Sequence, residues 1–283
     1  MEGRITKQIS NQYTVNANGK NYVCSARGKF KNEGLSPVVG DIVEFNPNDL
    51  RINEIKQRKN ILSRPTVANI DYALIVTSLK KPDLSYSLLD KLITLVLANN
   101  IKPIIILTKL DLMKKQELKE YMPAFKYYEA LDILVIPNTK LKKLKRILKG
   151  KTVVLTGQTG AGKSSILNKL DKTLNIETKP ISDALNRGVH TTRHTEIYEI
   201  NKIFFVDTPG FSALDLNMTK DELIKTFREF SKYSCEYPDC THNNEQNCGV
   251  KEALAKGKIL PSRYINYIRF LKEINESSSK LYK

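Results

Sequence analysis

The stretch Gly157-Gln-Thr-Gly-Ala-Gly-Lys-Ser164 decides how this chain is read. It places glycine, glycine, lysine and serine at every fixed position of the phosphate-loop pattern G-x-x-x-x-G-K-[ST]. The apolar run Thr152-Val-Val-Leu155 before it reads as a buried strand, and Ser165-Ile-Leu-Asn-Lys-Leu170 after it reads as the start of a helix. In that setting glycines let backbone N–H groups turn inward around phosphates, at the positive end of the helix dipole. Gly157, Gln158, Thr159, Gly160, Ala161, Gly162, Lys163, Ser164 and Ser165 are therefore the expected nucleotide contacts. Lys163 would reach the β- and γ-phosphates and Ser164 would ligate Mg²⁺.

About fifty residues later Asp207-Thr-Pro-Gly210 closes the apolar run Ile203-Phe-Phe-Val206. An aspartate at the end of a strand beside the phosphate loop holds Mg²⁺ through water, and the Gly210 N–H would meet the γ-phosphate. Asp-x-x-Gly alone is a common turn, and its weight comes from the phosphate loop it accompanies. Upstream, Thr108-Lys-Leu-Asp111 follows the apolar run Pro103-Ile-Ile-Ile-Leu107 and resembles the base-reading Asn/Thr-Lys-x-Asp of GTPases. There the aspartate, here Asp111, accepts hydrogen bonds from guanine N1–H and the 2-amino group, while Lys109 lies over the base plane beside Leu110. Adenine offers neither donor, and leaving the carboxylate unpaired disfavours it by several kcal/mol, on the order of 10⁴-fold in selectivity.

The order of these motifs is unusual, because in ordinary GTPases the base-reading motif comes after Asp-x-x-Gly. A site needs only spatial proximity, and a chain whose ends lie close can be cut and rejoined elsewhere without losing its core. The expected central domain is thus a circularly permuted α/β P-loop GTPase domain over residues 63–215. Alternating apolar strands and helical patterns from about residue 69 imply a mostly parallel sheet covered on both faces, with its ligand at the carboxyl ends of the strands. Between residues 172 and 203 lies the loop-like Arg187-Gly-Val-His-Thr-Thr-Arg-His194, in which Thr191 or Thr192 is the expected switch residue whose hydroxyl reaches Mg²⁺ when the γ-phosphate is present. Phe211 occupies the place where many GTPases carry a water-positioning glutamine, so a partner or another residue must complete hydrolysis. His190 is a candidate for that task, and local packing is an equally good reading of it.

Residues 1–62 read as a small β domain of the OB type. Residues 12–17 and 20–26 alternate in character around Asn18-Gly19, a two-residue hairpin signal, and residues 38–45 and 51–55 supply further strands. Such barrels bind oligonucleotides on one face, although a module that only packs on its neighbour has the same pattern. Leu141-Lys-Lys-Leu-Lys-Arg-Ile-Leu-Lys149 has leucines at helical spacing and a basic remainder; it fits a surface helix docked by its leucines better than an RNA contact.

Residues 216–283 carry Cys235-x₄-Cys240-x-His242-x₅-Cys248, three of the chain's four cysteines and one of its three histidines. Cys₃His is a closed tetrahedral zinc set, so a structural Zn²⁺ is expected to fold a mostly helical domain with helices near 221–232, 251–255 and 263–274. Cys24, alone in the β domain, reads as a buried small hydrophobe. The polar run at 276–280 reads as a frayed tail.

Composition limits the partners. The 283 residues carry 46 Lys plus Arg against 30 Asp plus Glu, a formal charge of +16, which attracts polyanions and makes nucleic acid or a nucleoprotein the first partner to consider. No apolar run reaches the roughly 18 to 20 residues a membrane span needs, and MEGRITKQIS lacks the apolar core of a signal peptide. The expectation is a cytoplasmic monomer without a membrane partner.

Taken together, the motifs resemble the ribosome small-subunit-dependent GTPase A family, the circularly permuted GTPases with an OB domain in front and a zinc domain behind. The resemblance rests on Arg64-Pro-Thr-Val-Ala-Asn69, Thr108-Lys-Leu-Asp111, the phosphate loop through Ser165, Gly188-x-His-Thr-Thr192, Asp207-Thr-Pro-Gly-Phe-Ser212 and the Cys/His cluster, in family order. It implies that the chain hydrolyses GTP to GDP on the 30S ribosomal subunit, contacts 16S rRNA, assists late maturation of that particle and is stimulated by it. Thr108 stands where many GTPases have asparagine, and Val189 and Arg193 vary within the switch. A zinc-containing RNA-binding protein that uses its nucleotide only as a conformational switch would share the same parts, whereas Asp111 disfavours an ATP-using enzyme.

Overall fold

Asn18 and Gly19 both take left-handed conformations, with φ of 51° and 76°, and close the tight hairpin that their sequence predicts. They join β2 (Gln12–Ala17) to β3 (Lys20–Ala26); β1 (Glu2–Ile9), β4 (Ile42–Asn46) and β5 (Arg51–Ile55) complete a closed barrel in the order β1-β2-β3-β5-β4. Pairing of β3 with β5 is parallel and the other pairings are antiparallel, the connectivity of an OB-type Greek-key barrel. Its interior is Ile5, Tyr13, Val15, Cys24, Val43, Phe45 and Ile52, all buried.

Strand β1 was not singled out in the sequence. Its outward face is an interface with the sheet domain. Arg4 donates to Thr152 Oγ1 at 2.6 Å and lies 4.3 Å over the Phe204 ring, and Lys7 pairs with Glu196 at 2.9 Å. The strand expected from residue 38 begins only at Ile42. The preceding turn is fixed by the buried Asp41 carboxylate, which accepts from Val38 N and, through both oxygens, from Arg58.

The computed structural model describes residues 1–28, 30, 34–63, 66–171, 195–206 and 215–281. After a small hairpin of β6 (Ile61–Ser63) and β7 (Thr66–Ala68), the chain builds a six-stranded sheet from β8 (Tyr72–Ser78), β9 (Lys102–Thr108), β10 (Leu134–Pro137), β11 (Thr152–Gly157), β12 (Ile197–Ile200) and β13 (Ile203–Val206). The order is β10-β9-β8-β11-β13-β12, parallel except at the β12 edge. The near-continuous burial of β8, β9 and β11 fits strands covered on both faces. Helices α1 (Tyr86–Ala98), α2 (Lys115–Glu129), α3 (Leu141–Leu148) and α4 (Lys163–Leu170) follow β8, β9, β10 and β11 in turn. Ser85 caps α1 by accepting from Leu88 N at 3.2 Å.

The C-terminal part is helical, with α5 (Lys220–Thr226), α6 (Gly249–Ala255) and α7 (Pro261–Leu281). The single helix expected over 221–232 is divided: α5 stops at Thr226 and a short 3₁₀ turn, Phe230–Lys232, follows. The break brings Phe227 and Phe230 together, with ring centroids 5.3 Å apart, and both rings meet Tyr267 edge-on. The tail expected to fray instead continues α7 to Leu281. Serine costs only a few tenths of a kcal/mol in a helix, and adding residues to a docked helix avoids the nucleation penalty. Among the described residues no helix is long and apolar enough to cross a membrane.

A buried ionic cluster joins this part to the sheet domain. Arg263 of α7, 1% exposed, donates through Nε to Glu229 at 2.9 Å and through Nη1 to Asp90 of α1 at 2.9 Å. Its guanidinium also lies 4.2 Å over the Phe227 ring. Asn266 and Tyr128 donate to the remaining positions of Asp90 at 2.6 and 2.7 Å. Removing one member of such a cluster strands a buried charge, at a cost of about 3 to 5 kcal/mol.

Candidate nucleotide and metal sites

The phosphate loop leaves the sheet at its topological switch point. The chain runs outward from β8 to β9 and β10, then returns to β11, on the other side of β8. Loops at such a point diverge and leave a crevice at the carboxyl ends of the strands. Gly157 ends β11 opposite Val76, and a Cβ there would lie 2.1 Å from the Val76 carbonyl oxygen, so only glycine permits this close passage. Gly162, with φ of 97°, turns the chain into α4, whose first turn carries Lys163 and the half-buried Ser164. Gln158, Thr159 and Gly160 form the outer arc, with Thr159 and Gly160 exposed, and Ser165 is also exposed.

Lys163 is folded back on this loop. Its Nζ donates to the carbonyls of Gly157 and Gln158 at 2.8 and 2.9 Å, and burial lowers its pKa from the usual lysine value. A half-buried ammonium whose nearest partners are neutral carbonyls favours an anion at this spot.

The Thr-Lys-Leu-Asp segment lies against the same loop. Thr108, 3% exposed, ends β9 opposite Ser78 of β8, two strand spacings, or about 10 Å, from β11. Its hydroxyl donates to the Ala161 carbonyl inside the phosphate loop at 2.6 Å, and the position of a Cβ on Gly162 is 3.9 Å from the Thr108 side chain. The threonine thus ties the two loops together, and it does so with a single hydroxyl. Lys109 follows in a left-handed conformation, φ 55°, and Leu110–Leu112 form a 3₁₀ turn that leaves Asp111 exposed. Lys109 Nζ donates to the Lys81 carbonyl, and Pro82 reaches within 3.8 Å of a Cβ built on Gly160. The 80–82 loop after β8 therefore lies against both the Thr-Lys-Leu-Asp segment and the phosphate loop. Sequence reasoning missed it; the signal that was present is Lys80-Lys-Pro at a strand end, directly before an N-capped helix.

The other sequence-predicted residues of this site, His190, Thr191, Thr192, Asp207 and Gly210, lie outside the described residues. The strand leading to Asp207 is described: β13 runs parallel to β11 with Val206 opposite Val154.

The Cys₃His residues converge. The ligand atoms of Cys235, Cys240, His242 and Cys248 all lie within 4.8 Å of one another. His242 Nδ1 is 3.4, 3.4 and 3.5 Å from the three sulfurs, and the Cys235 and Cys248 sulfurs are 3.8 Å apart. A tetrahedron with metal–sulfur bonds of about 2.3 Å and a metal–nitrogen bond of about 2.0 Å has edges of about 3.8 Å between sulfurs and about 3.5 Å from sulfur to nitrogen. These four separations match the edges around a four-coordinate metal ion, which this cluster can hold. Burial, with the neighbouring Cys235 and Cys248 side chains, pushes the Cys240 thiol up to about 12, so the thiolate of Cys240 is costly here without a cation.

The turn presenting His242 is braced from outside. Glu245 accepts from Thr241 N and Oγ1 and from Asn243 N at 2.8, 2.6 and 2.8 Å. Burial would raise its carboxyl, but these bonds outweigh that and hold it at about 2. Tyr264 donates to the His242 carbonyl at 2.7 Å and Tyr267 to the Thr241 carbonyl, while Phe230 packs edge-on against the imidazole at 5.2 Å. Glu245 was not singled out from the sequence, although a carboxylate three residues after the histidine ligand is the local cue.

Counted from β11 as the first strand and returning to β8 as the fourth, the sheet reads 6-5-4-1-3-2. Such an order arises when a doubly wound sheet keeps its strands but the chain opens elsewhere. With a phosphate loop at the switch point and a Thr-Lys-x-Asp loop bonded to it, the fold and site define a P-loop protein of circularly permuted connectivity. Comparison with known proteins gives the family. The model of the RsgA GTPase domain matches residues 55–217 and that of the RsgA N-terminal domain matches residues 2–52. The chain is 45% identical to the small ribosomal subunit biogenesis GTPase RsgA of Clostridium novyi, over 97% of each chain. It is 42% identical to RsgA 2 of Oceanobacillus iheyensis, over 96% of this chain and 97% of that one. Its structure is similar to the crystal structure of YjeQ from Thermotoga maritima, with a TM-score of 0.82, 32% identity and coverage of 96% of this chain and 98% of that one. It is also similar to YloQ, described as a circularly permuted GTPase, with a TM-score of 0.80, 34% identity and coverage of 98% and 95%. The chain belongs to the RsgA GTPase family.

Proposed function

We propose that this chain hydrolyses GTP to GDP and phosphate on the 30S ribosomal subunit, contacting 16S rRNA and assisting late maturation of that particle. The observation that carries the guanine assignment is the 2.6 Å bond from the Thr108 hydroxyl to the Ala161 carbonyl, which supports a single crevice bounded by the base-reading and phosphate-binding segments. In this reading Asp111 accepts from guanine and Lys109 releases the Lys81 carbonyl to cover the base. Lys163 exchanges its two backbone carbonyls for the β- and γ-phosphates, an exchange that relieves the cost of its burial. Bound Mg²⁺ would supply neutralisation of the charge on the phosphates. Ser164, Thr191 or Thr192, and Asp207 through water would hold it, with Gly210 on the γ-phosphate and His190 a candidate for aligning the attacking water.

Zinc at Cys235, Cys240, His242 and Cys248 suits the closed sulfur-rich donor set, and its role would be structural. The reading divides the chain into a rRNA-binding OB domain at 1–62, the GTPase domain at 63–215 and the zinc domain at 216–283, acting as a cytoplasmic monomer. Its support is the RsgA match, the net charge of +16 and the names of the relatives.

The test is phosphate release titrated with purified 30S subunits at several salt concentrations. The reading expects turnover that rises with subunit concentration and loses its stimulation steeply as salt increases, because phosphate contacts release counterions. Turnover unaffected by subunits would contradict it and favour the RNA-binding protein that uses its nucleotide only as a switch.

A further inference from the structure

The charge of this molecule is unevenly placed. Between Asp132 and Asp171 the sequence has no carboxylate and nine lysines or arginines. Six of these, Lys140, Lys142, Lys143, Lys145, Arg146 and Lys149, lie on or beside α3, and all six are exposed. Among the described residues none of the six has an ion-pair partner, whereas Lys7, Lys56, Lys59, Lys80, Lys91 and Lys256 each hold a carboxylate. Exposed Lys202 extends the patch, because its carbonyl accepts from Gly150 N at 2.7 Å just past the end of α3.

Such an arrangement disfavours the helix itself. Lys142 with Arg146 and Lys145 with Lys149 are like charges at i,i+4, each pair costing about 0.2 to 0.5 kcal/mol. The cost is met by Leu141, Leu144 and Leu148, 9%, 0% and 0% exposed, which lock the other face of α3 into the core beside Ile136 and Ile166. The result is a solvent-facing row of cations that, among the described residues, make no ion pair.

The chemistry of the row selects its partner. Its leucines are buried, so no apolar face is left to enter a bilayer, as an interfacial helix requires. The helix has no aromatic residue on which bases could stack, so it lacks the platform of a single-strand binder. Closely spaced cations without base-reading groups fit the sugar–phosphate backbone of a duplex, which A-form RNA presents as shape and phosphate. We propose that the exposed face of α3 docks double-stranded RNA through its phosphates, a contact within the GTPase domain additional to any made by the barrel. The proposal rests on the reading that the chain works on an RNA particle, and it names the element that grips.

The experiment compares the full chain with the triple variant Lys142→Gln, Lys145→Gln, Arg146→Gln, in which glutamine keeps the helix propensity. A second triple, Lys119→Gln, Lys126→Gln, Lys258→Gln, makes the same charge change elsewhere on the exposed surface. Binding to a fluorescent 24-base-pair RNA duplex of arbitrary sequence is followed against salt, with GDP affinity and helical circular dichroism as controls for the fold. The expected result is a loss of about tenfold or more in affinity and a salt slope shallower by about 2 to 3 for the α3 triple only, with GDP binding and helicity unchanged. Equal slopes for wild type and the α3 triple, equal losses for both triples, or wild-type preference for phosphatidylserine vesicles over the duplex would each overturn the proposal. Because the duplex probe needs no ribosome, loss of subunit-stimulated turnover with duplex binding intact would count against the proposed function and leave the α3 contact standing.

Discussion

The metal cluster and the nucleotide crevice are prepared in opposite ways. At the cluster, four side-chain ligand atoms already lie within 4.8 Å of one another, and a carboxylate, two tyrosines and a phenylalanine brace the turn that carries one of them. At the crevice, backbone is fixed but the charged groups are turned elsewhere. Lys163 is on its own loop, Lys109 on the Lys81 carbonyl, and Asp111 is exposed. The difference suits what each site is proposed to hold. A resident ion in a closed site is part of the fold, so its ligands are assembled with the core. A nucleotide that must enter and leave needs a scaffold of backbone and side chains that exchange internal partners for it.

This contrast is sharpest where a ligand is removed from each site. Replacing Cys240 by alanine is expected to have the larger effect, since a structural tetrahedral site contributes on the order of 10 kcal/mol to the folding of small zinc modules. Hydrogen exchange should show α6 and α7 losing protection while the central sheet keeps it, and a chelator should reproduce the change. Retained protection in α7 would mean that the Phe227, Phe230 and Tyr267 core and the Arg263 cluster hold this part without metal.

Replacing Thr108 by valine is expected to act more locally. It keeps the shape, removes the bond to Ala161 and leaves a buried carbonyl unpaired, a cost of about 1 to 3 kcal/mol. GDP affinity measured by calorimetry should fall about tenfold or more, with the melting transition shifted by only a few degrees. Unchanged affinity would show that the two loops are positioned independently of that hydroxyl.

The features legible in the sequence are those whose chemistry is set by residue types at short spacing. The phosphate loop, Thr108-Lys-Leu-Asp111 and the Cys₃His cluster belong here, and so does the Asn18-Gly19 hairpin. Permutation was legible as motif order, and the sheet order agrees with it. What escaped was long-range. Arg263 meets Asp90 across 173 residues and Glu229 across 34, and no local pattern announces such a cluster. Arg4 and Lys7 of β1 look solvent-directed in the sequence but are committed to the sheet domain, a contact that no local pattern reveals. The division at Phe227 came from aromatic packing overriding helical periodicity, and the helical tail from propagation out of a docked α7. The basic α3 was read correctly as docked by its leucines, but only its exposed, unpaired cations show what the opposite face is free to do.

The central claim is that Asp111, encoded early, and Lys163, encoded midway, serve opposite ends of one guanine nucleotide. It is tested most directly by nucleotide binding to the Asp111→Asn variant. An amide cannot accept both guanine donors, but it can pair with the carbonyl that xanthine carries in place of the 2-amino group. The account predicts that GDP affinity drops by about a hundredfold or more while xanthosine diphosphate gains affinity. GDP affinity equal to that of the unaltered chain would contradict it.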